Sequence, residues 1–215
     1  MGVRSDNPCF RWVDIQKGFT GVMKKTKPGR SAGKVLRTVK SFQSPTHLRI
    51  VKSPRKVFKE LKLFATDVDG VLTDAGMYYG ESGEELKKFN TRDGMGIKLL
   101  QDEGVTIAII TREQTKIVAR RAKKLGITEV FQGAKDKVAV LTDLSSKLGI
   151  PFEQMAYMGD DVNDVGALGV VGYAAAPADC VDQVRQVVHY VCQKKGGEGA
   201  VREVIDMILG ARHRL

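Results

Sequence analysis

The stretch Asp67-Val68-Asp69-Gly70-Val71-Leu72-Thr73-Asp74 sets two carboxylates two residues apart, directly after the apolar run Leu61–Thr66. If that run is a strand of an open parallel sheet, both acids emerge at its carboxyl end, where such sheets bind ligands. Carboxylates held so close repel in a low-dielectric cleft, and a cation between them relieves the cost. Mg2+ suits these donors, because it takes oxygen ligands and keeps water and substrate phosphate in its shell. Alone, the pair reads equally well as a solvated turn. Three later elements change the balance. Thr111 ends a second apolar run, and its hydroxyl can donate to a phosphate oxygen. Lys137 opens a helix after Gln132-Gly133-Ala134-Lys135-Asp136, where an ammonium beside a helix N-terminus neutralises a phosphate and a carboxylate nucleophile. Gly159-Asp160-Asp161-Val162-Asn163-Asp164 follows the apolar run Gln154–Met158 and brings a second acidic cluster to the same edge. Singly these are an ordinary strand-end threonine, a surface lysine and an N-capping aspartate. In this order on one framework they form a highly specific set.

The framework that must position them begins at Leu61, where short β-rich runs alternate with helical stretches, the pattern of βαβ units around a parallel sheet. Strands are expected at Leu61–Thr66, Val105–Thr111, Glu129–Phe131, Gln154–Met158, Val170–Ala174 and Val188–Cys192. Helices are expected near 93–103, 114–125, 136–148, 161–168, 178–186 and 199–210. Val105-Thr106-Ile107-Ala108-Ile109-Ile110 is continuously apolar but for one threonine, as befits a strand covered on both faces. Residues 72–89 break the alternation: Gly76, Gly80 and Gly83 flank Met77-Tyr78-Tyr79 and Leu86, which reads as a β-hairpin. No insertion is large enough for a separate cap. The fold class expected is therefore α/β, a three-layer Rossmann-like parallel sheet with a hairpin flap after strand 1.

Charge divides the chain in two. Residues 1–59 hold 15 Lys and Arg against Asp6 and Asp14, a local excess of +13, while the remainder holds 20 basic and 23 acidic side chains, or −3; together they make the net +10. The expected division is a basic, irregular leader at 1–59 and a globular domain at 60–215. Three readings of the leader stay open: a targeting presequence, a tail with weak polyanion affinity, or an extension with no role. No run reaches the roughly 18 apolar residues a membrane span requires. Cys9, Cys180 and Cys192 make no paired framework, which points to a reducing compartment, the cytoplasm or an organelle interior if the leader is a presequence.

The order Asp-x-Asp, Thr, Lys, Gly-Asp-Asp resembles the four motifs of the haloacid dehalogenase superfamily. Residues 61–210 resemble its small capless sugar-acid phosphatases, among them those for 3-deoxy-D-manno-octulosonate 8-phosphate and 2-keto-3-deoxynononate (KDN) 9-phosphate, and the related C-terminal domain of animal sialic-acid cytidylyltransferases. The resemblance is carried by Asp67–Asp74, Lys87-Lys88-Phe89-Asn90-Thr91-Arg92-Asp93-Gly94, Ile110–Gly126, Phe131–Lys137, Ala156–Asp164 and Gly196-Gly197-Glu198-Gly199-Ala200-Val201-Arg202-Glu203. It implies Asp67 as the nucleophile and Asp69 as the acid that protonates the leaving oxygen and then activates water. It implies Mg2+ between the Asp67 carboxylate, the Asp69 carbonyl and Asp160, with Asp161 and Asp164 outside that set. It also implies a homotetramer in which the hairpin and the C-terminal segment cover a neighbour's site.

Glu113, Arg121 and Lys124 fall near one helical face by their spacing of eight and three, and the two cations could hold the carboxylate of a 2-keto sugar acid. A basic solvated face is the competing reading. By the resemblance, Glu113 favours a nine-carbon acid such as KDN 9-phosphate over the eight-carbon one, while Arg112 stands where glycine is usual. The Gly196–Gly199 loop could close over a ligand or serve as a turn before the last amphipathic helix. Two other function classes compete: a non-catalytic oligomerisation module, against which the full motif set speaks, and polyanion binding through the leader, for which no specific nucleic-acid or membrane partner is expected.

Overall fold

The computed structural model describes residues 54–81 and 85–213, so the readings placed on residues 1–53 lie outside the described residues. Six strands form one parallel sheet: β1 (Leu63–Thr66), β4 (Thr106–Ile110), β5 (Glu129–Phe131), β6 (Met155–Met158), β7 (Tyr173–Ala176) and β8 (Tyr190–Val191), in the order β5-β4-β1-β6-β7-β8. The hairpin strands β2 (Tyr78–Tyr79) and β3 (Glu85–Leu86) pair antiparallel, and a bridge between Thr73 and Phe89 closes their base. The helices are α1 (Pro54–Glu60), α2 (Thr91–Asp102), α3 (Lys116–Leu125), α4 (Lys137–Leu148), α5 (Val165–Val170), α6 (Asp182–Arg185) and α7 (Ala200–His213).

The continuous apolar strands make sense because each feeds two cores. On β1, Phe64 joins one cluster with side chains of α1, α2, α3 and α7, while Leu63 and Ala65 join the other with α4, α5 and α6. On β4, Ile107 and Ile109 go one way, Ala108 and Ile110 the other. A side chain of this size contributes about 1.5–3 kcal/mol when fully buried, so the sheet is held from both faces. Helix boundaries follow local chemistry. Thr115 and Asp136 cap α3 and α4 by accepting from Val118 N at 3.2 Å and Ala139 N at 3.0 Å, and both helices end in left-handed glycines, Gly126 and Gly149.

The sheet departs from the sequence reading at three places. Residues 54–59, assigned to the leader by composition, form α1 with Lys and Arg outward and Val57 and Phe58 in the core; Arg212 of α7 donates to the carbonyls of Phe58 and Leu61. The fifth strand starts at Tyr173 rather than Val170, because α5 continues through Val170 and Gly172 N binds Phe152 O at 2.7 Å; β-branched residues there follow tertiary packing, not strand propensity. The last strand is shortened where the His189 imidazole takes a ladder position, its Nδ1 accepting from Ala174 N at 2.9 Å. Among the described residues, no helix is long and apolar enough to cross a membrane.

Candidate active site

The chain leaves β1 toward β4 on one side and returns to β6 on the other, so β1 sits at the point where the order of strands reverses, the place where open α/β sheets bind ligands. Asp67 follows β1, Thr111 follows β4 and Gly159-Asp160 follows β6. Asp67 N donates to Met158 O at 2.9 Å, and Thr111 N to Phe131 O at 2.9 Å, which fixes both backbones at the rim. The Asp67 carboxylate accepts from Val68 N at 2.6 Å through Oδ1 and from Lys137 Nζ at 2.6 Å through Oδ2. Lys137, the first residue of α4, also donates to Asp164 Oδ1 at 2.6 Å, and that oxygen accepts a second bond from Tyr157 Oη at 2.7 Å. The other Asp164 oxygen takes the backbone N–H groups of Asp160 and Asp161 at 3.1 and 3.3 Å. Asp164 thereby ties the acidic loop to α4 and β6.

A second lysine engages the other carboxylate of the Asp67-Val68-Asp69 turn. Lys87, just after β3, donates to Asp69 Oδ1 at 2.6 Å and to Glu113 Oε2 at 3.0 Å, and its side chain is 0% exposed. Burial pulls its pKa down, and the hydrogen bonds and charges of Asp69 and Glu113 more than reverse this, so it stays charged above the ordinary lysine range. Sequence spacing gave no sign of this role: Lys88 beside it pairs with Asp74 on the surface.

Asp67, Asp69, Ala75, Thr111, Arg112, Glu113 and Asp160 to Asn163 line a cavity of about 470 Å³. Arg121 and Lys124 are not among its lining residues. Arg121 donates to Asn90 O at 3.0 Å and lies over the Phe89 ring at 5.4 Å, while Lys124 is exposed. Glu113 does reach the cavity, but its carboxylate is engaged by Lys87. A larger hollow of about 640 Å³ lies between β8 and α7. Its Glu203 is committed to Tyr190 Oη and to two backbone N–H groups, and it gathers no set of acids around a nucleophile.

The donors at the rim fit a hard divalent cation. Ligand oxygens of Asp67, Asp160 and Asp164 lie within 4.8 Å of one another. Asp164 is already saturated by four donors, which leaves the carboxylates of Asp67 and Asp160 as the oxygens of this cluster with room for a cation. Burial first, and then the charge of Asp164, pushes Asp67 up to about 6 despite Lys137. Burial, with Asp164, Asp67 and Asp161 behind it, pushes Asp160 to about 8. Those shifts register negative charge that one lysine does not balance, and an all-oxygen site of this kind takes Mg2+ rather than a thiophilic metal.

Comparison with known proteins agrees with this geometry. Residues 106–205 match the family model of haloacid dehalogenase-like hydrolases. The 3-deoxy-D-manno-octulosonate 8-phosphate phosphatase of Yersinia pestis is 44% identical over 155 residues, 72% of this chain and 83% of that one. The chain belongs to the haloacid dehalogenase-like hydrolases. The enzyme of the same name from Moraxella catarrhalis, solved with magnesium, phosphate and KDO, superposes with a TM-score of 0.72 at 42% identity, over 74% of this chain and 91% of that one. The cobalt-bound Haemophilus influenzae enzyme gives 0.70 at 40%, over 73% and 91%.

In this hydrolase the turn after Asp67 is braced from the far end of the chain. Gly70 has φ +80, and a Cβ there would lie 2.0 Å from Asp160 Oδ2, so only glycine admits the Asp160 carboxylate. A Cβ on Gly196 would lie 1.9 Å from Gly70 O, and Gly197 N donates to Val71 O at 3.1 Å. Asn90 Nδ2 holds Gly197 O at 3.2 Å, and the buried Asp93 accepts from Arg202 N at 2.7 Å. The Gly196–Gly199 segment, read from sequence as a ligand-covering loop or a turn, packs behind the Asp69 turn.

Proposed function

We propose that this hydrolase is an Mg2+-dependent phosphomonoesterase that cleaves the phosphate of a 2-keto-3-deoxy sugar acid through an aspartyl-phosphate on Asp67. The observation that carries the reading is Asp67 held at the sheet's reversal point by Lys137, with Asp160 beside it. An Asp67 oxygen bonds to phosphorus as the ester P–O bond breaks, and Asp69 gives its proton to the departing sugar oxygen. Asp69 then takes a proton from the water whose oxygen attacks phosphorus, the Asp67–phosphorus bond breaks, and inorganic phosphate leaves. The Lys137 ammonium and the Thr111 hydroxyl receive the phosphate oxygens. Mg2+, held by Asp67, Asp160 and the Asp69 carbonyl, adds positive charge to the phosphoryl group when bound.

For the sugar, relatives named for the eight-carbon 3-deoxy-D-manno-octulosonate 8-phosphate favour that acid. Glu113 favours the nine-carbon KDN 9-phosphate by resemblance, but its bond to Lys87 gives it a role that does not depend on sugar length. Arg112, exposed and lining the cavity, is the cation placed to meet the substrate carboxylate. Phosphate release should need Mg2+, should run faster on the eight-carbon than on the nine-carbon phosphate, and should vanish in Asp67→Asn. Full activity of that variant overturns the mechanism; preference for KDN 9-phosphate overturns the choice of sugar.

We also infer a homotetramer, because Met77, Tyr78, Tyr79 and Leu86 are 40–68% exposed on the hairpin, an apolar surface that a neighbouring copy would cover. Sedimentation as a monomer at micromolar concentration would remove that inference.

A further inference from the structure

Lys87 lies outside the four motifs that mark the site, yet its side chain is withdrawn from water. The residue before it, Leu86, is 63% exposed and Tyr79 across the hairpin is 68% exposed, while the Lys87 side chain is 0% exposed. An ammonium withdrawn from water on an otherwise solvated flap costs free energy unless its partners make strong hydrogen bonds. Two carboxylates at the cleft bind it, Asp69 Oδ1 at 2.6 Å and Glu113 Oε2 at 3.0 Å. Thr73 Oγ1 adds a longer contact to the same Asp69 oxygen at 3.4 Å. The two Asp69 oxygens are thus unlike. Oδ1 is anchored from two sides, and Oδ2 is buried with no protein partner.

We propose that Lys87 is a positioning residue for Asp69: by anchoring Oδ1, with Glu113 holding the ammonium from behind, it reserves Oδ2 as the oxygen that passes the proton to the leaving group and takes it back from water. The inference rests on the acid–base reading of Asp69 given above. It assigns Glu113 to the support of Lys87 rather than to the sugar. It also makes the hairpin part of the catalytic geometry, since the residue that sets the acid's orientation is delivered by the strand that returns from its tip.

The test uses leaving groups that do and do not need a proton. An alkyl phosphate such as 3-deoxy-D-manno-octulosonate 8-phosphate leaves as an alkoxide and needs the acid; p-nitrophenyl phosphate leaves as a stable phenolate and does not. Loss of a positioned acid costs about 100-fold or more on the first. In Lys87→Met, kcat/KM on the alkyl phosphate should fall by about that factor, with less than a threefold change on p-nitrophenyl phosphate. Because the second step still needs the base, nitrophenol should appear as a burst followed by slow turnover. Asp69→Asn, run alongside, should give the same selective pattern. If Asp69→Asn lowers both substrates equally, the acid–base reading itself fails. If Asp69→Asn is selective but Lys87→Met lowers both equally, or neither, Lys87 only anchors the hairpin and the inference is overturned. Should Lys87→Met not fold, Glu113→Gln carries the test: a selective loss on the alkyl phosphate supports the inference, and an equal or absent loss overturns it.

Discussion

The two lysines of the cleft serve similar carboxylates from very different supports. Lys137 starts a twelve-residue helix and binds Asp67 and Asp164, the latter fixed in turn by Tyr157 from inside β6. Lys87 binds Asp69 and Glu113 from the end of a two-residue strand on a flap whose other faces meet solvent. On the mechanism proposed above, the half of the site that handles phosphate is built into the sheet and its core, and the half that handles the leaving group hangs on a hairpin and a rim loop. A fold organised this way keeps the phosphoryl chemistry constant while the group departing from it can change with modest substitutions.

If that contrast is right, damage on the two sides should differ in kind. Lys137→Met should lower kcat by about 1000-fold through loss of charge at the phosphoryl group. It should also destabilise the fold by about 3–5 kcal/mol in urea titration, since Asp67 and Asp164 would stay buried without the ammonium that balances their charge. Loss of activity with unchanged stability would break the comparison.

A proton balance sharpens it further. Asp160 near 8 and Asp67 near 6 both lie above the ordinary value of 3.8 in the metal-free protein. The folded state thus holds more protons than the unfolded one between about pH 4 and 8, and the metal-free fold should gain stability as pH falls through that window. Mg2+ binds the ionised forms, so it should displace a proton near pH 7, and its apparent affinity should weaken about sixfold from pH 8 to 7. Calorimetry in two buffers of different ionisation heat measures this; no proton release at pH 7 would contradict it.

The smallest effect belongs to the rim. Arg112→Ala should raise KM for a sugar acid phosphate by about tenfold, the loss of one charge-assisted pair. Stability should stay within about 0.5 kcal/mol, as for an exposed side chain without a structural partner. An equal rise in KM for a phosphate lacking a carboxylate would show that Arg112 does not read that group.

The sequence exposed the phosphate half because each of its residues sits where a β-rich run stops: Asp67 after Ala65-Thr66, Thr111 after Ile109-Ile110, Asp160 after Tyr157-Met158. Position in a periodic pattern is enough to place such groups. Lys87 was hidden because a two-residue strand has no period to read, and nothing local separates it from Lys88. Tyr157 lies inside the apolar run Gln154–Met158, and its hydroxyl bond to Asp164 exists only after folding. Arg121 shares a helical face with Glu113 on paper, but α3 turns it toward Asn90 and Phe89. The first helix was lost in its own basicity, because Val57 and Phe58 are only two apolar side chains among seven residues.

The prop that Gly196 and Gly197 set beneath the Asp69 turn comes from a segment far downstream of that turn in the chain. A nascent chain halfway through Gln193 already carries each acid and lysine of the cleft, yet the turn at Gly70 to Thr73 has nothing to rest on. The turn that carries Asp69 is thus supported only once Gly196 and Gly197 have been made, after the reactive groups themselves.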